Sequence, residues 1–149
     1  MTRRRLPRRW IVSFTIRPQG KRSGLSNIIH ATRGGSSAGQ HGYHTPSVWF
    51  LSNSRRLRVC STVSNNPNYC YNSPTSLPDK QNSRVVIQQI RRSDGKYFYR
   101  IYINGHLRVN VQNTNPQIFY NVKYWISNPL DNEPSTAFIR RFNLRVYDY

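Results

Sequence analysis

Along residues 96–111 (KYFYRIYINGHLRVNV) apolar and aromatic side chains recur at every second position, on both sides of an Asn104-Gly105 pair. A period of two is that of a β-strand with one face buried. Asn-Gly is the two-residue turn whose positions both accept positive φ, so the stretch reads as a β-hairpin. Tyr97, Tyr99, Ile101 and Ile103 then share one face, with Phe98, Arg100 and Tyr102 on the other. Beyond the turn, Leu107, Val109 and Val111 are expected inward, with His106, Arg108 and Asn110 outward.

The same period runs through most of the chain. Trp10, Val12, Phe14 and Ile16 alternate with polar or smaller residues, as do Leu57, Val59, Ser61 and Val63. Further strands are expected at 27–32, 47–51, 84–90, 118–127 and 136–149. Glycine and serine dominate 33–46, which reads as a mobile loop, and three prolines with five asparagines make 64–83 a loop. No window has a 3.6-residue period and no internal repeat is present. About nine short strands punctuated by Gly, Pro and Asn define an all-β, antiparallel two-sheet jelly-roll sandwich. With 149 residues it forms one domain, expected over 10–149, preceded by a basic N-terminal arm over 1–9.

Charge is the second constraint. Lys and Arg number 23 against five Asp and Glu, a formal +18, and nineteen of the basic residues are arginine. Such a surface attracts polyanions, and the planar guanidinium grips sulfate, carboxylate or phosphate through paired hydrogen bonds. Alternation gathers Arg100, Tyr102 and Arg108 into a basic-aromatic patch, to which Arg56 and Arg58 are added on the side opposite Leu57. The arm contributes Arg3, Arg4, Arg5, Arg8 and Arg9, read as a solvated tail, an import-like run or a nucleic-acid-neutralising segment.

Catalysis finds little footing. The carboxylates are Asp79, Asp94, Asp131, Glu133 and Asp148; Asp94 belongs to a turn, and Asp131 and Glu133 are too close in one loop to flank a glycosidic bond. No G-x-S-x-G and no phosphate-cradling glycine loop occurs. His41 and His44 have zinc-compatible spacing but no nearby Cys or acid completes a set, so surface loop histidines are expected and neither metal nor cofactor is assigned. The apolar run after the basic start is about five residues, too short for a signal-peptide core or a spanning helix.

The ordered set W-x-V-S-F-x-I-x-P, S-N-I-I-H, P-S-V-W-F, L-x-V-C, N-Y-C-Y-N-S-P and G-K-Y-F-Y-R-I-Y-I-N-G, from Trp10 to about Arg140, resembles concanavalin A-like, laminin-G-like jelly-roll modules of secreted, adhesive animal proteins. The resemblance implies a binding or adhesive role without catalysis and names no ligand. The galectin sugar-binding pattern is missing, and Asn128 stands where calcium-binding relatives are expected to carry an aspartate. Together with the placement of Cys60 and Cys70 at the two ends of one loop, it favours a disulfide, hence an oxidising compartment, over two free buried thiols. The leading expectation is an extracellular recognition or assembly module that binds anionic glycans or a protein partner. The alternatives are a capsid-like nucleic-acid binder using the arm and a self-assembling structural subunit.

Overall fold

Twelve strands and no helix make up the computed structural model, which describes residues 1–21, 23–126, 133–134 and 137–147. The strands are β1 (Thr2–Leu6), β2 (Arg9–Arg17), β3 (Ser26–Thr32), β4 (Ser47–Phe50), β5 (Leu57–Val63), β6 (Asn66–Asn72), β7 (Ser83–Arg91), β8 (Tyr97–Ile103), β9 (His106–Asn113), β10 (Phe119–Ile126), β11 (Glu133–Pro134) and β12 (Phe138–Tyr147). They form two sheets, one ordered β1-β10-β3-β4-β5-β6 with β11 beside β3, the other β12-β2-β7-β8-β9. All the ladders except that of β11 are antiparallel. The architecture is the jelly-roll sandwich that alternation predicts, and no described helix is long and apolar enough to cross a membrane.

The inner faces are the alternating apolar sets. Val12, Phe14, Ile16, Val85, Ile87 and Ile101 of the five-stranded sheet are fully buried against residues such as Ile29, Val48, Leu57 and Val59 of the other. Tyr99, also fully buried, packs edge-on against Trp10 in its own sheet and against Tyr69 of β6, at centroid distances of 6.5 and 6.1 Å. A network of neutral polar groups runs through the interior. Asn113 Nδ2 donates to Gln89 Oε1 at 2.7 Å, Gln89 Nε2 donates to the Arg8 carbonyl at 2.7 Å, and the Ser64 amide donates to Asn113 Oδ1 at 2.8 Å. This network ties the tip of the β5–β6 hairpin to the end of β9, one sheet to the other.

Three expectations need correction. The N-terminal residues are no free arm: Thr2–Leu6 pair antiparallel with β10, and Leu6 enters the core with no exposure. A run of arginines hides this strand from a periodicity reading, because only its last side chain is apolar. Asn66–Asn72, expected as loop, is the edge strand β6. There Tyr69 and Tyr71 pack on the core, and Pro67 is tolerated because an edge strand has one side free of ladder bonds. The glycine-rich segment 33–46 is held rather than mobile. The Arg33 amide donates to the Gly42 carbonyl at 2.9 Å, the Gly42 amide to Thr62 Oγ1 at 2.8 Å, and the Thr62 amide to the His44 carbonyl at 3.0 Å. Gly42 has φ 83°, and a Cβ there would lie 2.7 Å from the Phe119 ring, so glycine is what lets the loop close onto the sheet.

Cys60 and Cys70 stand directly opposite each other on β5 and β6 and are joined by a disulfide. Reducing it should lower unfolding free energy by about 2–3 kcal/mol, read as a shift in urea midpoint between the reduced and oxidised protein. Leu6→Ala should cost about 2–4 kcal/mol. Replacing Arg3, Arg4 and Arg5 together with Gln should cost less than about 1 kcal/mol. Equal losses from the two changes would contradict the role of β1 as a strand anchored by its single apolar side chain.

Candidate functional site

The two outer faces differ. On the larger sheet, segment 33–46 bonds to the backbone of β3 and β5, and β3 is buried at every position except its last. His44 is buried there, with its ring 5.4 Å from His30, 4.8 Å from Tyr43 and 5.0 Å from Trp49, and its Nδ1 2.9 Å from Ser47 Oγ. Burial chiefly, then the His30 ring and the Arg58 guanidinium, lower this imidazole from 6.5 to about 4. His44 is therefore a neutral core residue and not the expected surface histidine. His41 is held elsewhere, its Nδ1 2.8 Å from Gln117 Nε2, and no group of three metal-ligating side chains occurs among the described residues. Asn128 and Asp131 lie outside the described residues.

Among the described residues, the outer face of the five-stranded sheet carries mostly half-buried and exposed side chains, and the registers fix what it displays. One row crosses all five strands as Arg145, Ile11, Gln88, Arg100 and Asn110; the next reads Asn143, Ser13, Val86, Tyr102 and Leu107. Arg100 Nε donates to Asn110 Oδ1 at 2.9 Å, and its guanidinium lies 5.8 Å from the Phe98 ring centroid. Arg92 caps the same ring from the other side of the turn at 4.5 Å. Cations thus sit on a floor of half-buried Ile11, Val86, Phe98 and Tyr102. The pattern supplies an apolar platform with charge-assisted donors at its edges.

The structure divides the residues that alternation groups. Arg100, Tyr102 and Arg108 belong to the β8–β9 hairpin and share this sheet. Arg56 and Arg58 belong to the other sheet, where Arg56 Nε donates to the Ser73 carbonyl at 2.7 Å and Arg58 Nη1 to Asn72 Oδ1 at 3.2 Å. They do not extend the hairpin patch. Within the hairpin the register slips between Ile101 and Tyr102, making Arg108 the extra residue and setting Leu107 opposite Tyr102. Leu107, expected inward, is 48% exposed for that reason. A β-bulge reverses side-chain parity, and no periodicity shows where one falls. Of the arm, Arg8 Nε donates to the Pro116 carbonyl at 3.2 Å, Arg9 lies 4.7 Å over the Tyr147 ring, and Arg3, Arg4 and Arg5 line a shallow concavity beside β1. Sequence reasoning missed Arg145, which the register places in the same cross-sheet row as Arg100.

No family model matches the chain, and no curated protein matches it. Solved structures share its fold. A sialidase of Trypanosoma rangeli in complex with sialic acid superposes with a TM-score of 0.63 at 15% identity, over 91% of this chain and 20% of that one. A heptameric SAP-like pentraxin of Limulus polyphemus gives 0.61 at 14% identity, over 97% of this chain and 66% of that one. The binding domain of botulinum neurotoxin DC in complex with SialylT gives 0.56 at 15% identity, over 92% and 32%. The chain thus spans a fifth of the sialidase, a third of the toxin domain and about two thirds of the pentraxin. These likenesses establish a concanavalin A-like jelly roll shared by an enzyme, a pentraxin and a toxin binding domain.

His44 gives this architecture a defined acid response. Its folded-state value lies below the unfolded one, so the unfolded chain takes up the proton first. Stability contributed by the neutral ring is complete above pH 6.5 and is lost progressively as pH falls towards about 4. His44→Gln should flatten the pH dependence of urea-unfolding free energy across that window, relative to the parent, by about 2–3 kcal/mol. Parallel pH profiles for the two proteins would show that His44 is not held neutral.

Proposed function

We propose that the protein is an extracellular, non-catalytic recognition module that binds anionic glycans across the outer face of its five-stranded sheet. One observation carries this reading: Arg100 of β8 and Arg145 of β12 lie in one cross-strand row on a sheet face that carries half-buried Ile11, Val86, Phe98 and Tyr102. Sugars present apolar ring faces and oriented hydroxyls, which suit half-buried aromatic and aliphatic side chains, and acidic sugars add oxyanions for guanidinium groups. The disulfide fits an oxidising compartment. The laminin-G-like sequence resemblance points the same way. So do neighbours of this fold that were solved with sialic acid or SialylT, and a botulinum neurotoxin type C whose cell entry is dependent upon interaction with two ganglioside molecules. A protein partner with an acidic surface is the second form of the same reading, favoured by the exposed Leu107 at the edge strand β9.

Nucleic acid is the competing polyanion. Its device would be a free basic arm, whereas residues 2–6 here are part of a sheet. Retention on immobilised heparin should need well above physiological salt for elution. The double change Arg100→Gln and Arg108→Gln should bring elution to clearly lower salt while leaving the thermal midpoint within about 2 °C, since each phosphate- or sulfate-like contact adds to the salt slope. Elution of the parent at physiological salt, or an unchanged profile in the variant, would sink the reading.

A further inference from the structure

Beyond the hairpin patch, the outer face of the same sheet ends in a pocket of about 400 Å³ lined by Thr15, Asn82, Ser83, Arg84, Asn104, Arg140 and Arg141. Three of the seven lining side chains are arginine and none is a carboxylate. Register explains the convergence. Arg140, Thr15 and Arg84 form one cross-strand row on β12, β2 and β7, so the two arginines stand about 10 Å apart at Cα with Thr15 between them. Arg84 leans across that gap, Nη2 donating to Ser13 Oγ on β2 at 3.0 Å. Its backbone is fixed by the hairpin turn, where Asn104 Oδ1 accepts from the Arg84 amide at 2.8 Å.

Arg141 reaches the same pocket only through an irregularity. The β12–β2 register shifts between Arg140 and Asn143, and Arg141 has φ 53°. Strict alternation would have turned either Arg140 or Arg141 towards the core. The bulge instead leaves both arginines exposed and sends Phe142 inward, its ring 6.1 Å from Tyr124. Positive φ on a long-chain residue is uncommon and costs free energy that glycine would avoid, and bulges recur where a side chain is re-aimed at a site.

We propose that Arg84, Arg140 and Arg141 form a discrete oxyanion site that takes one sulfate or carboxylate substituent of an acidic sugar. The inference rests on the glycan-binding reading above and assigns its anchoring point. Arginines lining one pocket from two strands, β12 and β7, supply paired donors for the lone pairs of an oxyanion, and Thr15, Ser83 and Asn82 add hydroxyl and amide groups to the same lining. The volume suits about one acidic sugar unit. The next row along the face, with Val86 and Tyr102, continues the apolar floor away from the pocket.

Calorimetric titration of the full chain with a heparin-derived tetrasaccharide, its desulfated counterpart, a neutral tetrasaccharide and a four-nucleotide single-stranded DNA tests this. Arg141→Gly keeps the backbone conformation while removing the guanidinium, so the fold is retained. Combined with Arg140→Gln it should weaken the sulfated tetrasaccharide by about tenfold or more at constant salt. A sulfate site loses the desulfated sugar; a carboxylate site keeps it, and either supports the proposal. Unchanged affinity in the pocket variant, with loss in the Arg100→Gln, Arg108→Gln variant, would overturn the pocket and spare the hairpin patch. Loss in the pocket variant alone would sustain the pocket and refute the patch. DNA bound as tightly as the sulfated sugar and weakened equally, or neutral sugar bound as tightly, would overturn the pocket as a site for acidic sugars.

Discussion

A chain with eighteen surplus positive charges must build a core without burying charge it has no acids to neutralise. The sandwich meets this constraint in two ways. It places a neutral polar network inside, the Gln89–Asn113 pair that reaches the Arg8 carbonyl and the Ser64 amide. Its arginines dock onto backbone carbonyls instead of carboxylates: Arg8 on Pro116, Arg33 on His41, Arg55 on Leu77 and Arg56 on Ser73. A carbonyl satisfies the donor and orders the side chain but leaves the charge uncompensated. Of the carboxylates in the described residues, Asp94 pairs with Arg92 and Asp79 accepts the Gly20 amide. The field of the surface therefore stays positive even where its arginines are fully ordered.

That field is shared by the whole exterior, and the fold decides where it can be used. Segment 33–46 is bonded to the larger sheet, and a neutral His44 is packed there among His30, Tyr43 and Trp49. The groove of about 410 Å³ beside this segment is lined by Arg33, His41 and Gln117, whose polar groups already hold one another or the backbone. Among the described residues, most outward side chains of β2, β7 and β8 in the five-stranded sheet are half-buried or exposed. Its outer rows combine arginine with apolar side chains too exposed to be core and too continuous to be incidental.

Alternation in the sequence was enough to place β2, β5, β7 and β8 and to sort the faces of β2, β5 and β8, because each of those three carries four inward residues that are apolar, aromatic or a small polar substitute. It failed where the signal was carried by other chemistry. In β1 the partner-facing positions are arginines, and in β6 the apolar members Tyr69 and Tyr71 are embedded among asparagine and proline. The prolines and asparagines around Tyr69 and Tyr71 made the whole of 64–83 read as loop, although the two tyrosines have strand spacing. Of the candidate site, the hairpin trio was legible and its separation from Arg56 and Arg58 was not, since sheet membership is a long-range fact that strand periodicity does not contain. The bulges at Arg108 and Arg141 were invisible for a related reason: a one-residue slip is set by the partner strand.

Those bulges bear directly on how the protein would distinguish one polyanion from another. Long-range attraction from an unneutralised exterior is indifferent to the chemistry of the anion and fades with salt over about 8 Å at physiological ionic strength. Discrimination needs donors fixed in direction, and a regular strand supplies at most one outward side chain in every two residues. By breaking alternation, the bulge on β12 presents Arg140 and Arg141 together and opposes them to Arg84, which is itself clamped by Asn104 and Ser13. Local, oriented contacts of this kind survive salt that removes the diffuse attraction. On the proposed reading, the strained Arg141 is therefore the feature that would convert a diffuse cationic surface into a selective one.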